Sequence, residues 1–456
     1  MRHQLRKLFP KTLMKILSMS KRQRWHELRA SLWILPAIYI VWALLLGVGS
    51  YFLEYRWASS LPVPAFFSTS YDLTQTMSSA MFSGVLTLNA FTFNSILVVL
   101  TSFSGQFTPR MLFNFIADKR TQHALGIFNF CFFYLMLVFF FLNANSDDFT
   151  VFPLASVLVT AFAVLNFILF INHAAKWMQV PSIVNHMKEE SQQRILNTLH
   201  YDLEPFRIEE PRDINKVIDQ GKGHTIASEA TGFLQVLDYQ ALIREAQKDD
   251  IVIRMDRRVG DFVMKGIPLL TYWKKSIQAL DENKYRRMMY LGDRKTEVQD
   301  LEYGITKLTE IAIKAVGNNE EPTTAQDAIY QLADLLLSIS DITRYSSCLT
   351  DSEDQLRMIL QEESFSYYVY CAFGPLSSYA REDAVTTLNI LEALAILTQA
   401  VKAQDKACCW EYASIIADKF SGDFAFAYER HQFHNALQKM AAEAEEWEVY
   451  QASFGN

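Results

Sequence analysis

Residues 80–102 read AMFSGVLTLNAFTFNSILVVLTS, an apolar run studded with hydroxyls and amides. On a helix advancing about 100° per residue, Ser83, Thr87, Asn94 and Thr101 fall on one face beside the small residues Ala80 and Gly84. Groups of this kind can replace the hydration shell of a passing ion or solute when copies of the helix surround an axis. Ser83, Thr87, Asn94 and Thr101 are therefore candidate pore-lining residues, with Thr87, Asn94 and Thr101 at heptad spacing. The competing reading is a packing seam, in which small residues let backbones approach and amides bond across helices. No Asp, Glu, Lys or Arg lies in the run, which speaks against a proton-coupled pump and leaves a channel open.

Other chemistry-bearing residues are sparse. The stretch SGQFTPRMLFNFIADKRTQ (104–122) follows, and Gln106, Arg110, Lys119 and Arg120 are candidates for a cytoplasmic mouth that attracts anions. Within it Thr108 can cap, and Pro109 can start, a short helix. The same cations also serve as orientation charges at lipid headgroups. HQFH (431–434) sets His431 and His434 three apart with Glu429 nearby; a metal needs a second cluster, and the sequence offers none, so surface histidines are expected. The five cysteines show no CxxC or zinc-like spacing, and adjacent Cys408 and Cys409 read as packing residues. No P-loop, GxSxG or HExxH occurs. Neither an enzyme nor a metal or cofactor is expected.

These candidates depend on four apolar runs, 31–53, 81–103, 123–143 and 151–172, with no Asp, Glu, Lys or Arg in any of them. About 20 apolar residues suffice to cross roughly 30 Å of hydrocarbon. About 30 residues precede the first run, so it is not read as a cleavable signal. Nine basic residues and one acid, Glu27, lie in residues 1–30; Arg56 is alone in the first loop, Arg110, Lys119 and Arg120 occupy the second, and the third carries Asp147 and Asp148. The positive-inside rule then places both termini and the second loop in the cytoplasm. The third run is dense in phenylalanine, which suits lipid contact or subunit packing. The chain carries a net charge of −7 with its acidic surplus after residue 170, so a nucleic-acid partner is not expected, while the basic arm suits an anionic leaflet.

Residues 173–223 read as a helical linker. The segment 224–275 reads as a small β-rich module: IVIRM alternates like a strand, and VGDF and KGIPLL carry turns in which Gly260 and Gly266 supply positive φ. VGDFVMKGIPL resembles the hairpins of barrel-sandwich hybrid modules, including biotinyl and lipoyl carriers, but Met264-Lys265-Gly266 lacks their methionine-flanked lysine. From 276 to 456 the three- and four-residue apolar spacing predicts helices only, among them 301–316, 323–340, 382–403, 405–420 and 428–449.

Three stretches resemble a bacterial family of predicted membrane proteins, the domain of unknown function 2254 family. FSGQFTPRMLFNFIADKRTQHALGIFNFCFFY (103–134) is similar to its Ser-x-Gln-Phe-Ser-Pro-Arg-Leu-Leu signature followed by Asp-x-x-x-Gln and Leu-Gly. FINHAAKWMQVPSIV (170–184) is the second, and the third runs from Gln299-Asp300 through Tyr303-Gly304 to PTTA (322–325). In VGNNEEP (316–322), Glu320 and Glu321 stand where the family reads Asn-Asp. Arg294, Gln299, Asp300, Glu320 and Glu321 are therefore candidate ligand or interface residues. The resemblance implies an oligomer-capable inner-membrane protein and no particular activity. The expected fold is an α-helical integral membrane protein with four transmembrane helices, both ends inside, and a cytosolic α+β region: the β module, then an all-α C-terminal domain. The expected function is an oligomeric channel or passive transporter for a small ion or solute; a membrane-anchored sensor or scaffold is the alternative.

Overall fold

The computed structural model describes residues 34–57, 68–106, 115, 118–144, 148–177, 180–195, 203–207, 223–274, 280–295, 299–317, 322–342, 347–361 and 364–454. The basic arm 1–30, the capped turn at Thr108, Arg110, Glu320 and Glu321 lie outside the described residues. The chain divides into two compact units, Met1–Val180 and Pro181–Asn456.

The first unit holds α1 (Ile34–Phe52), α2 (Tyr71–Gln106), α3 (Lys119–Phe141) and α4 (Val151–Trp177). All four are long and apolar enough to cross a membrane. Helix α2 starts ten residues before the expected apolar boundary. The added turns, YDLTQTMSSA, are polar but contain no Gly or Pro to stop a helix; hydropathy marks the part in hydrocarbon, not the end of the hydrogen-bond ladder. A two-residue antiparallel pair, β1 (Thr69–Ser70) with β2 (Asp148–Phe149), joins the α1–α2 and α3–α4 connections.

Helix α3 is the centre of this bundle and packs on the other three. Its ring-rich sequence divides between two roles: Phe128 and Tyr134 are fully buried, while Phe140 is 77% exposed. Lipid offers no hydrophobic drive for helix association, so close packing and interhelical hydrogen bonds carry it. Gly126 leaves the room into which the Tyr39 ring packs, and Tyr39 Oη meets His123 Nδ1 at 3.0 Å. The hydroxyls of Ser50 and Tyr134 pair at 3.1 Å, and Asn166 Nδ2 donates to the Ala124 carbonyl at 3.1 Å. After α1 the backbone widens into a π-turn, Leu53–Trp57. Within it Glu54, 7% exposed, accepts from the N–H groups of Thr150 and Phe152, each at 2.8 Å. A carboxylate thereby caps the N-terminus of α4, where the first amides have no helical partner.

The second unit opens with α5 (Val180–Ile195) and continues into β3 (His224–Ala227), β4 (Gly232–Leu237), α6 (Tyr239–Lys248), β5 (Ile251–Met255), β6 (Phe262–Val263), β7 (Pro268–Lys274) and α7 (Glu282–Arg286). Then follow β8 (Met289–Gly292), α8 (Leu301–Gly317), α9 (Pro322–Ile342), β9 (Cys348–Thr350), β10 (Leu356–Ile359) and five helices. These are α10 (Phe365–Tyr379), α11 (Ala384–Ala400), α12 (Ala403–Lys419), α13 (Ala427–Glu443) and α14 (Trp447–Phe454). The expectation of an all-α region after 276 is corrected: β8, β9 and β10 lie in it. They complete a five-stranded sheet, β3-β7-β5-β10-β9, and a three-stranded sheet, β6-β4-β8. The β-rich segment 224–275 therefore does not close on itself. Three- and four-residue strands are too short to show a period, and β10 pairs parallel to β5, a pairing that requires a long crossover. The crossover includes α8 and α9.

The turn glycines behave as expected, with φ of +97° at Gly260 and +89° at Gly266. The expected helix 428–449 breaks in two, with Glu445 at φ +61° between α13 and α14. Glu429 is a cap rather than a free ligand, since it accepts from the Phe426 N–H at 3.1 Å. Of the paired histidines, His431 is exposed and His434 half-buried.

Candidate functional site on the second membrane helix

Helix α2 packs into the bundle through Val85, Thr92, Ile96 and Val99, all buried. Ser83, Thr87, Asn94 and Thr101 are exposed in the single chain. Among the described residues the polar face is thus not a seam between this chain's own helices. Its hydroxyls are largely self-satisfied. Thr87 donates to the Ser83 carbonyl at 2.8 Å, Ser95 to Phe91 at 2.9 Å and Thr101 to Val98 at 2.9 Å. Such back-bonding removes much of the cost of a hydroxyl in hydrocarbon. Asn94 differs: among the described residues its side-chain amide makes no hydrogen bond. It lines a shallow groove of about 420 Å³ with Leu86, Thr87, Ala90 and Phe91. An amide with four bonding positions has no partner in lipid tails, so this groove must meet water or protein.

Gln106 closes α2, and Lys119 and Arg120 are exposed on the first turn of α3. Asp118 is the N-cap of α3 and accepts from the N–H groups of Arg120 at 3.0 Å and Thr121 at 3.3 Å. The same carboxylate meets His173 Nε2 at 2.9 Å. Phe115 stacks on the His173 ring at 6.3 Å and touches Trp177 edge-on at 5.4 Å. Burial by itself raises the Asp118 carboxyl. The hydrogen bond and charge of His173, with the two backbone N–H groups, outweigh it and hold the carboxyl below its ordinary value. Two stretches that carry the family resemblance, 103–134 and 170–184, meet at this pair. Sequence reading singled out neither Asp118 nor His173 as partners; the available signal was an Asp ahead of a helix start in one stretch and an isolated His in the other. Glu54 was also passed over, although it is the only acid near the end of the first apolar run.

In the second unit, Gln299 and Asp300 join α8 to the three-stranded sheet. Gln299 is buried and brackets Leu237 at the end of β4: its Oε1 accepts from the Leu237 N–H at 2.8 Å and its Nε2 donates to the Leu237 carbonyl at 3.0 Å. Asp300 caps α8 by accepting from the Tyr303 N–H at 3.1 Å. Arg294 is exposed, and its carbonyl accepts from Gln235 Nε2.

The four spans define a multi-pass membrane protein. The description "Predicted membrane protein (DUF2254)" fits residues 29–396, so the chain belongs to that family. Among its relatives are an uncharacterized protein of Mycobacterium bovis and two of Mycobacterium tuberculosis strains. Each is 20% identical over 308 residues, covering 65% of this chain and 58% of the relative. The chain thus spans less than two thirds of the length of the curated relatives it matches. No solved structure matches the chain.

Proposed function

We propose that the protein is an oligomeric channel or passive transporter of a bacterial inner membrane, for a small ion or solute. Helix α2 lines the path, and the second unit, in the cytosol with both termini, assembles or gates it. No covalent chemistry belongs to this reading. The observation that carries it is Asn94, an amide turned away from its own bundle into an open groove. Symmetric copies bring Ser83, Thr87, Asn94 and Thr101 around a shared axis, where water and a permeant species replace the missing partners. Gln106, Lys119 and Arg120 then stand toward the cytoplasmic end.

A second reading rests on the hydroxyls that bond back to their own carbonyls. With those groups satisfied, the face can pack dry against another copy, and the protein is a membrane-anchored sensor or scaffold. Both readings place copies against this face. Oxidative cross-linking in native membranes tests that common step. Asn94→Cys is expected to yield disulfide-linked oligomers, and Phe140→Cys, on the exposed side of α3, is not. Absence of cross-linking at 83, 87 and 94 alike would contradict both.

A further inference from the structure

We infer that the turn after β5 in the second unit, residues 256–261, is a binding site for a phosphate-type oxyanion, held by Arg257. The Nε of Arg257 is fully buried and has no hydrogen-bond partner, and among the described residues the guanidinium has no acid partner. A guanidinium carries five donors and cannot shed its proton. A donor taken out of water and left unmatched is unfavourable, and native structures rarely leave one so.

Three carboxylates lie at the turn, and each accepts from a donor other than Arg257; Asp300, against Gly260, accepts from the Tyr303 N–H at 3.1 Å. Asp256 accepts from Thr271 at 2.6 Å and from Arg254 at 3.2 Å. Asp261 accepts from the Arg258 N–H at 2.9 Å. Glu302, in the first turn of α8, accepts from Tyr367 at 2.5 Å and lies 3.5 Å from Lys295. Arg258 adds a second charge that no acid neutralises among the described residues. Its partners are neutral: it donates to Gln361 at 3.1 Å and lies 5.1 Å over the Tyr367 ring.

The turn is also held rigidly. Gly260 N–H donates to the Leu234 carbonyl at 2.8 Å, and the Leu234 N–H donates to the Asp261 carbonyl at 2.9 Å. Gly260 packs on Asp300 at the start of α8. A fixed backbone presents Arg257 with little ordering left to be done when the anion arrives. The site is independent of the pore reading, because it lies wholly in the second unit and needs no transport.

The test is calorimetric titration of the full-length protein in phosphatidylcholine nanodiscs with inorganic phosphate at constant ionic strength. Saturable binding is expected, at least tenfold weaker in Arg257→Gln and unchanged in Arg244→Gln, an exposed arginine on α6. Arg257→Lys, which keeps the charge and loses the fork, is expected to lie between and serves if the glutamine variant does not fold. Acetate is expected to bind more weakly than phosphate. Nanodiscs containing phosphatidylglycerol distinguish the source: competition with phosphate in wild type but not in Arg257→Gln assigns the oxyanion to a lipid headgroup, and no competition assigns it to a soluble ligand. No saturable response to phosphate or to phosphatidylglycerol, or an equal response in Arg257→Gln, overturns the inference.

Discussion

Glu54→Ala is expected to destabilise the membrane unit by about 3 kcal/mol, since a hydrogen bond to a charged group contributes roughly 1.5–3 kcal/mol. The carboxylate caps α4 through two N–H groups 2.8 Å away. Alanine leaves both amides buried at the end of a helix whose dipole favours negative charge there. It also leaves a void where the π-turn folds inward. Glu54→Gln keeps one oxygen acceptor and should lose about half as much. Thermal unfolding of the detergent-solubilised protein, followed by circular dichroism, checks both. A loss below about 0.5 kcal/mol for the alanine variant, the scale of an ordinary surface change, would mean that other groups satisfy the end of α4.

Gly260→Ala is expected to weaken the second unit by about 3–4 kcal/mol, and Gly266→Ala by about 1–2 kcal/mol, the scale of a strained positive-φ residue. Both glycines sit at positive φ, +97° and +89°. They differ in surroundings. A Cβ at Gly260 would run into the Asp300 carboxylate, whereas a Cβ at Gly266 meets nothing. The pair therefore separates backbone strain from steric conflict. It also probes the junction between the β5–β6 turn and α8, because displacing Asp300 loosens the cap on Tyr303. Chemical denaturation of the full-length protein, read by intrinsic fluorescence, measures the difference. Equal losses at the two positions would contradict the proposed crowding at Asp300.

The membrane unit was legible because hydrocarbon imposes a length and a polarity that few other environments require. The start of α4 at residue 151 and the turn glycines could be read from the sequence, whereas α3 begins at Lys119, four residues ahead of the expected run. What escaped were pairings between distant residues. Glu54 reaches Thr150 and Phe152, Asp118 reaches His173, and Gln299 reaches Leu237; each polar group looks unremarkable until the chain folds. Strands β8, β9 and β10 escaped for a related reason. MYLG, CLT and LRMI are too short for periodicity; β8 pairs with β4 and β10 with β5, tens of residues or more away, and β9 joins the sheet only through β10. The polar face of α2 was visible as a stripe. Its direction was not, since the same stripe fits a packing seam inside one bundle. The burial of Val85, Thr92, Ile96 and Val99 on the other side turns it outward.

Helix α2 is proposed to line a path between copies. Conductance of the purified protein in a planar bilayer tests it, with wild type set against Asn94→Leu and Thr87→Leu. Discrete, ion-selective currents are predicted for wild type. Either leucine should reduce unitary conductance severalfold or change its selectivity while the oligomer persists. Silence from folded, oligomeric wild-type protein across voltages and salts would contradict the pore. The polar face would then be a dry contact between copies, and the second unit would carry the function.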